Sequence, residues 1–508
     1  MAEIVLTTLN AKYIHAAFGL RYLLANMGEL KARTELIEFH INQRALDITE
    51  AILNRKPKIV GMGVYIWNAR LTLEVARVLK RLQPELLLVL GGPEVSYEWE
   101  KQAVVATADY VITGEADLAF RQLVDRLLNN ERPAQKVIHA PLPDPAKVAL
   151  PYDLYTEQDV KHRIIYVEAS RGCAFTCEFC LSSLDVPVRQ FPLEPFLAEM
   201  EKLLARGVQH FKFVDRTFNL NLNTSRALLT FFLERYTPGL FLHFEMIPDR
   251  LPEALRGLIA KFPPGALQFE VGIQSFNDEV CARIKRRQSF DRLRDNFAFL
   301  RQHTGVHIHA DLIAGLPGED VASFARGFNE LVALAPQEIQ VGILKRLRGT
   351  PIIRHDAEWD MRYNAEPPYE ILSNRSVSFA QMQELRRFAK FWDLLGNSGN
   401  FAQTTPLLWQ EMTPFDGVMA FTRWVYPKAN QTSGIALARL AEYLFEFLVH
   451  VQGMNPSTVG GAMWSDFQRT GRQDAPPFLR PHLPATNAKR VETHKAPKRQ
   501  ARHLAANA

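Results

Sequence analysis

Three of the chain's four cysteines fall within eight residues, at Cys173, Cys177 and Cys180. Three thiolates at CxxxCxxC spacing can hold three corners of a cubane iron–sulfur cluster, whereas ferredoxin-type cubanes take four cysteines. One iron would then stay open to a substrate or a cofactor. The spacing therefore predicts a 4Fe-4S cluster with one accessible iron.

Two other interpretations fit these cysteines less well. A structural zinc site needs four closed ligands, and Cys281 lies about a hundred residues downstream of the other three. A disulfide framework is disfavoured because cysteines are few and the clustered number is odd. Cys281 is therefore predicted to be a buried, inert thiol.

The cysteine segment follows the first strand of a series in which strands and helices alternate. Over residues 161–350 this alternation predicts a partial (β/α)6 barrel, in which chemistry lies at the carboxyl ends of the strands. The cysteines occupy such a position. The strands are predicted at residues 164–168, 211–214, 241–245, 267–272, 307–313 and 339–344.

Residues 1–135 show the same alternation and predict a doubly wound parallel sheet. Ligands of such sheets bind beyond the carboxyl ends of the strands. Glycines at those ends, as in Gly61–Tyr65, Gly91–Gly92 and Gly114–Glu115, would let the backbone approach a large ligand closely. The first strand ends in polar residues, which include Thr8 and Asn10.

The remaining segments have no pattern that points to chemistry. Four prolines in residues 136–160 predict an extended linker. Residues 351–478 show helical periodicity and predict a helical C-terminal domain. Residues 479–508 are rich in Lys, Arg, Pro and Ala without apolar periodicity, which predicts a disordered basic tail.

The composition bounds the class of protein. The net charge of +5 over 508 residues comes from the basic tail, so nucleic-acid binding by the folded body is not expected. No apolar run approaches the ~20 residues that span a bilayer, and the N-terminus lacks the basic start of a signal peptide. We therefore predict a cytoplasmic protein without membrane partners.

On the CxxxCxxC motif, with Phe179 directly before the last cysteine, the chain resembles the radical S-adenosylmethionine (radical SAM) superfamily over roughly residues 160–350. The resemblance implies that SAM chelates the open iron, and that one electron from the cluster then cleaves SAM to a 5'-deoxyadenosyl radical. It also implies that SAM contacts lie near the strand ends. The candidates are Phe179, Asp215, Thr217, Glu245, Gln274 and Gly315.

The N-terminal strand ends, placed before this motif, resemble the flavodoxin-like cobalamin-binding domain of cobalamin-dependent radical SAM enzymes. The Asp-x-His-x-x-Gly motif of many cobalamin proteins is absent, because Tyr13 and Phe18 flank His15 at the corresponding positions. His15 is therefore predicted to make a polar contact rather than to bind cobalt. The cobalamin candidates are Thr8, Asn10, Tyr65, Gly91, Gly92, Gly114 and Glu115.

The two resemblances together imply a cobalamin-dependent methyltransferase that acts on an unactivated carbon of a small molecule. One SAM would methylate cobalamin and a second would yield the radical, with electrons from a flavodoxin or ferredoxin. The alternative is a radical SAM enzyme of another reaction type, such as cyclisation, oxidation or tRNA modification, that does not use cobalamin. No catalytic side chain is predicted. Arg171 is predicted to offset the negative charge of the cluster and its thiolates.

Overall fold

The computed structural model describes residues 2–472, 474–483 and 497–507. The chain divides into two compact units. The first unit contains the residues up to Arg216 together with Lys345–Ile353 and Asn364–Glu370. The second unit contains Thr217–Leu344, Arg354–Tyr363 and the residues from Ile371 onward.

The first unit begins with a six-stranded sheet whose neighbouring strands are all parallel. Its elements are β1 (Ile4–Asn10), α1 (Phe18–Ala25), β2 (Thr34–His40), α2 (Ala45–Leu53), β3 (Ile59–Gly63), α3 (Ala69–Leu82), β4 (Leu87–Gly91), α4 (Ala103–Thr107), β5 (Tyr110–Thr113), α5 (Ala119–Leu128) and β6 (Val137–His139). The strand order is β2-β1-β3-β4-β5-β6, and its first five strands follow the flavodoxin-like order.

Apolar side chains cover both faces of this sheet. On one face Val5 and Val60 pack with Val75 of α3. On the other face Leu6 and Ile112 pack with Phe120 of α5. The strands are therefore buried from both sides, as their continuous apolar runs require, and the predicted doubly wound sheet is confirmed.

The segment predicted as a linker adds to this sheet. β6 pairs in parallel with β5, with Val111 opposite Val137. A three-residue strand at a sheet edge tolerates the prolines that follow it, because its outer side needs no partner. Three residues of the predicted linker, Val137–His139, therefore form an edge strand, and its last residues begin the helix Glu157–His162.

The rest of the first unit carries the cysteines. Its elements are α6 (Glu157–His162), β7 (Ile165–Val167), β8 (Ser170–Arg171), β9 (Arg189–Gln190), α7 (Leu193–Ala205) and β10 (His210–Phe213). β7 and β10 pair in parallel, with Ile165 opposite Phe211. β8 and β9 pair in antiparallel fashion, so that they form the stem of a hairpin that encloses the three cysteines. We call residues 172–188 between these two strands the cysteine loop.

The second unit continues the alternation of strands and helices. Its first elements are α8 (Leu222–Glu234), β11 (Phe241–Met246), α9 (Glu253–Ile259), β12 (Leu267–Gln274), α10 (Asp278–Arg283), α11 (Phe290–His303), β13 (His307–Ala314), α12 (Val321–Ala333) and β14 (Glu338–Ile343). β11 to β14 pair in parallel in chain order. All six strands predicted for residues 161–350 are therefore present, as β7 and β10 to β14.

Helices dominate the remainder of the second unit, as predicted. The elements are α13 (Asp356–Trp359), β15 (Arg362–Tyr363), β16 (Ile371–Ser373), α14 (Phe379–Leu395), α15 (Pro414–Ala429), α16 (Leu437–Glu446), α17 (Pro456–Arg469) and α18 (Lys498–Asn507). An aromatic core that includes Phe328, Phe388 and Phe415 joins α12, α14 and α15. The aromatic content of this region therefore serves packing.

The basic tail is not uniformly without structure. In contrast to the predicted disorder, Lys498–Asn507 forms α18, in which His503 is buried. His503 Nε2 lies 2.9 Å from the carbonyl oxygen of Asn397, and Arg499 Nε lies 2.9 Å from Glu338 Oε2. These contacts hold the helix although its sequence lacks apolar periodicity. Residues 484–496 of the predicted tail lie outside the described residues.

Within the described ranges, every helix is too short or too polar to cross a lipid bilayer.

Candidate functional site

An open cleft of about 220 Å³ lies at the carboxyl edge of the six-stranded sheet. This is the position where open α/β sheets bind ligands. Five of the seven cobalamin candidates line the cleft, namely Tyr65, Gly91, Gly92, Gly114 and Glu115. Other lining residues are Gly19, Leu20, Gly61, Gly63, Asp117, Phe120 and Arg171.

Thr8 and Asn10 do not line the cleft, although the sequence suggested that they would. Thr8 is buried, and its hydroxyl donates to the carbonyl oxygen of Gly63 at 2.8 Å. The amide of Asn10 donates to the carbonyl oxygen of His15 at 2.9 Å and to Glu38 Oε2 at 2.7 Å. Both side chains therefore satisfy protein groups at the end of β1.

His15 makes the polar contact that its context suggested. Its Nδ1 lies 2.6 Å from the hydroxyl of Tyr166. Burial lowers the pKa of His15, so the ring is neutral at physiological pH. His15 does not line the cleft.

The cysteine loop leaves its hairpin stem in a tight turn at Gly172. Gly172 has φ +87°, and a Cβ there would lie 2.7 Å from the carbonyl oxygen of Asp185 and 2.8 Å from that of Pro187. The amide of the next residue, Cys173, donates to the same Asp185 carbonyl at 2.9 Å. Glycine is therefore required for the two ends of the loop to approach each other.

The three cysteines of the loop form no disulfide bond. Cys173 and Cys177 are buried and Cys180 is half-buried. Among the described residues, no three His, Cys, Asp or Glu side chains are grouped closely enough to hold a single metal ion. The fit to a cluster rests on the donor chemistry, which is three soft sulfur ligands on one short loop.

Two SAM candidates lie in the first unit. Phe179 is half-buried within the cysteine loop. Asp215 is buried, and its carboxylate accepts from the hydroxyl of Ser170 at 2.6 Å and from the amide of Ala169 at 3.0 Å. Burial raises the pKa of Asp215 to about 7. Asp215 therefore fixes the residues that lead into the cysteine loop.

The other four SAM candidates lie in the second unit. Thr217 is buried, and the amide of its neighbour Phe218 donates to the carbonyl oxygen of Glu245 at 3.0 Å. Gln274 ends β12 with φ +75°, where the register of the sheet shifts. Gly315 has φ +92°, and its carbonyl oxygen accepts from the amide of Asn374 at 3.1 Å.

Cys281 also belongs to the second unit. It is buried, and its thiol donates to the carbonyl oxygen of Ser275 at 3.3 Å. Burial raises the pKa of this thiol to about 11, which keeps it protonated. The prediction of an inert thiol agrees with these observations.

The partners of Arg171 were not predicted from the sequence. Arg171 donates from Nε to Glu168 at 2.8 Å, from Nη1 to Glu115 and Asp117 at 2.9 Å, and from Nη2 to Asp117 at 3.0 Å. Its guanidinium also lies 4.5 Å from the ring centroid of Tyr22. Three carboxylates thus surround the positive charge of Arg171, which was predicted to offset the negative charge of the cluster. The only signal in the sequence was the alternation of Glu115 and Asp117 after β5.

A second missed group comes from the segment after β14. Arg348 Nε donates to Glu94 Oε1 at 2.9 Å, and the hydroxyl of Tyr369 donates to the same oxygen at 2.5 Å. The amide of Ile352 donates to the carbonyl oxygen of Glu178 at 2.9 Å. Residues 345–353 therefore touch both the loop after β4 and the cysteine loop. Because these partners lie far apart in sequence, no local pattern could reveal them.

Family models match three successive regions of the chain. Residues 4–124 match the B12 binding domain, residues 167–329 match the radical SAM superfamily, and residues 357–506 match a protein family of unknown function, DUF4080. Apart from Arg171, the residues that line the cleft lie in the first match, and the cysteine loop lies in the second.

Two curated relatives illustrate the range of similar proteins. The chain is 26% identical over 321 residues to the 2-(S-pantetheinyl)-carbapenam-3-carboxylate methyltransferase of Streptantibioticus cattleyicolor, covering 56% of this chain and 46% of that protein. It is also 26% identical over 223 residues to the ribosomal protein uS12 methylthiotransferase RimO of Trichlorobacter lovleyi, covering 42% and 50%. The chain thus spans about half the length of the curated relatives it matches.

A solved structure shares the fold. The radical SAM methyltransferase TsrM from Kitasatospora setae, with cobalamin and a 4Fe-4S cluster bound, aligns with a TM-score of 0.58 at 17% identity. The alignment covers 72% of this chain and 76% of that chain. This alignment shows that the two proteins have similar folds. The chain therefore carries a domain that matches the B12-binding family, at residues 4–124, ahead of a domain that matches the radical SAM superfamily, at residues 167–329.

Proposed function

We propose that this chain is a cobalamin-dependent radical SAM enzyme that transfers a methyl group to an unactivated carbon of a small molecule. The observation that carries the proposal is the position of Arg171. This side chain lines the cleft of the B12-binding domain and lies two residues before Cys173. The order of the family matches and the similarity to a methyltransferase also support the proposal.

When bound, a 4Fe-4S cluster supplies the electron that cleaves the sulfonium of SAM, and cobalamin carries the methyl group. Cys173, Cys177 and Cys180 would hold the cluster through their thiolates. Asp215 holds Ser170 and so fixes the start of the loop that presents them.

The remaining assignments are proposals for the contacts of each cofactor. Tyr65, Gly91, Gly92, Gly114 and Glu115 are the proposed cobalamin contacts because they line the cleft. Phe179, Asp215, Thr217, Glu245, Gln274 and Gly315 are the proposed SAM contacts. We further propose a reducing flavodoxin or ferredoxin as the electron donor, because the cleavage of SAM consumes one electron.

The proposal is tested by the metal content of anaerobically purified protein from cells supplied with cobalamin. We expect about one cobalt and about four irons per chain, the content of one cubane cluster. Reduction in the presence of SAM should then yield 5'-deoxyadenosine. A protein that binds iron but forms no 5'-deoxyadenosine would contradict the radical SAM assignment.

A substitution in the cleft separates the two cofactors. Gly91 lines the cleft, and a Cβ there would lie 3.6 Å from the nearest atom, the carbonyl oxygen of Ile112. Gly91→Leu should therefore fill the cleft and abolish bound cobalt while iron stays near four per chain. Gly257→Leu, at a position with no atom within 4 Å of the new Cβ, is the control and should retain both metals.

A second candidate function is a radical SAM reaction that does not use cobalamin, such as cyclisation, oxidation or tRNA modification. The similarity to a methylthiotransferase favours it. Under this candidate, iron would be present without cobalt even after incubation with excess cobalamin. 5'-Deoxyadenosine would still form, and Gly91→Leu would leave its yield unchanged.

A further inference from the structure

The cleft and the cysteine loop share their charged groups. Glu115 and Asp117 both line the cleft, and both bind Arg171 at the base of the cysteine loop. The side chains of Arg171, Glu115 and Asp117 are 13%, 18% and 7% exposed. Ion pairs that are this buried are costly to break, because a lone charge would remain in a poorly hydrated site.

A second arginine closes the other side of the hairpin stem. Arg189, which pairs with Arg171 across β8 and β9, donates to both oxygens of Glu115. It also donates to the two oxygens of Asp185 at 2.8 and 2.9 Å. The backbone of Asp185 in turn accepts from the amide of Cys173. Glu115 is therefore connected to Cys173 in two ways. It binds Arg171, which lies two residues before Cys173 in the chain, and it binds Arg189, whose partner Asp185 accepts from the Cys173 amide.

These contacts join two loops that are distant in sequence. Glu115 and Asp117 directly follow β5 and belong to the wall of the cleft. Arg171 and Arg189 flank the cysteine loop on both sides. A ligand that packs against the two carboxylates would exclude water from them and restrict their rotamers. It would thereby strengthen their bonds to the arginines, since such bonds gain energy as the site is desolvated.

We propose that Glu115 and Asp117 are positioning residues that couple occupancy of the cleft by cobalamin to the conformation in which Arg171 and Arg189 hold the cysteine loop, so that cobalamin and the iron–sulfur cluster bind cooperatively. The inference rests on the proposed function, because it names cobalamin as the occupant of the cleft. Coupling of this kind is reciprocal, so the cluster must raise the affinity for cobalamin by the factor by which cobalamin raises the affinity for the cluster.

The test is a titration of the full-length, cobalamin-free chain with hydroxocobalamin, in its iron-loaded and iron-free forms. Occupancy of one coupled site typically changes the affinity of the other by 5- to 150-fold. We expect hydroxocobalamin to bind about tenfold more tightly to the iron-loaded form. As the reciprocal readout, hydroxocobalamin should slow the loss of iron to a chelator by a similar factor.

Three variants locate the coupling. Glu115→Gln/Asp117→Asn should reduce the ratio of the two dissociation constants to about one, whatever its direct effect on cobalamin affinity. Asp117→Asn alone leaves the bonds between Glu115 and Arg189 and should give an intermediate ratio, which decides the matter if the double variant does not fold. Asp109→Asn is the control, because Asp109 pairs with Lys80 at 3.0 Å at the amino end of the same strand. It should keep the tenfold ratio.

Each outcome has one meaning. Equal affinity of the two wild-type forms would overturn the coupling while leaving the proposed function in place. A ratio that survives in both carboxylate variants would show that other residues carry the coupling and would overturn the roles of Glu115 and Asp117. If neither the iron-loaded nor the iron-free wild-type protein binds hydroxocobalamin, the proposed function is overturned, and the inference with it.

Discussion

A buried cluster of opposite charges in the first unit and another in the second unit lie at opposite edges of their sheets. In the first unit, Arg171 faces Glu115, Asp117 and Glu168 just beyond the carboxyl ends of β5 and β7. In the second unit, Glu338 begins β14 at the amino edge of its sheet. Its contacts are His307 at 2.9 Å, His309 at 3.5 Å and Arg499 at 2.9 Å.

The difference in position indicates a difference in role. In parallel α/β architectures the carboxyl edge carries ligands and chemistry, whereas the amino edge contributes stability. The Arg171 cluster lines a cleft and holds the cysteine loop. The Glu338 cluster fastens α18 to β13 and β14. The same ionic chemistry is therefore expected to affect cofactors in one unit and stability alone in the other.

The largest difference is expected between the cysteines of the two units. Cys173→Ala should remove most of the bound iron and bring 5'-deoxyadenosine formation below detection, because a cubane held by three thiolates then loses one of them. Cys281→Ala should retain both, since this thiol is buried and protonated beside Ser275. Iron analysis and chromatography of the SAM products measure the two effects. Loss of iron from Cys281→Ala would contradict the assignment of the ligands.

The two arginines provide the next test. Arg171→Met removes the cation that faces Asp117 and Glu168, and breaking a buried pair costs about 3–5 kcal/mol. We expect this loss in urea unfolding, together with a fall in iron content. Arg499 is 35% exposed, so Arg499→Met should cost about 1 kcal/mol and leave the iron content unchanged. Equal effects of the two substitutions on iron would erase the distinction between the clusters.

The elements of both units could be predicted from the sequence because they depend on local patterns. Continuous apolar runs such as β1 and the amphipathic period of α3 are visible without any tertiary information. The cysteine motif is local as well. β6 escaped because three residues within a proline-rich stretch give too little pattern to identify a strand.

The charged groups of the site could not be predicted in the same way. Arg171 lies 54 and 56 residues from its partners Asp117 and Glu115, and nothing in the intervening sequence specifies that pairing. Thr8 and Asn10 illustrate the converse difficulty. A polar side chain at a strand end can bind a ligand or bind the protein's own groups. Here Thr8 donates to the carbonyl oxygen of Gly63, and Asn10 donates to that of His15.

Gly315 tests whether a proposed cofactor contact is also required by packing. Gly315→Ala would place a Cβ 2.6 Å from Ile371 Cγ2, in addition to the cost of φ +92°. Gly453→Ala shares the positive φ, at +71°, but has no atom within 4 Å of the new Cβ. The positive φ alone should cost about 1–2 kcal/mol, and overpacking should add about 1–3 kcal/mol at Gly315. Urea unfolding of both variants measures the difference, and equal costs would show that the neighbours of Gly315 yield freely.

The last predicted effect is a pH dependence that is confined to the Glu338 cluster. Burial opposes a charge on His309, but its contacts with Asp311 and Glu338 outweigh burial and raise the pKa of His309 to about 10 from 6.5. A raised histidine pKa gives stability that is fully present below pH 6.5 and is lost as pH rises through 10.

Between pH 7 and pH 9 the free energy of unfolding of the wild-type protein should therefore fall by up to about 1.4 kcal/mol per pH unit relative to His309→Gln. His450→Gln, at an exposed histidine of the same unit, should keep the wild-type slope. Because this proton belongs to the amino edge, iron content and hydroxocobalamin binding at pH 7 should be the same in all three proteins. A change in either would mean that the Glu338 cluster acts on the site, and that the two edges do not divide stability from chemistry.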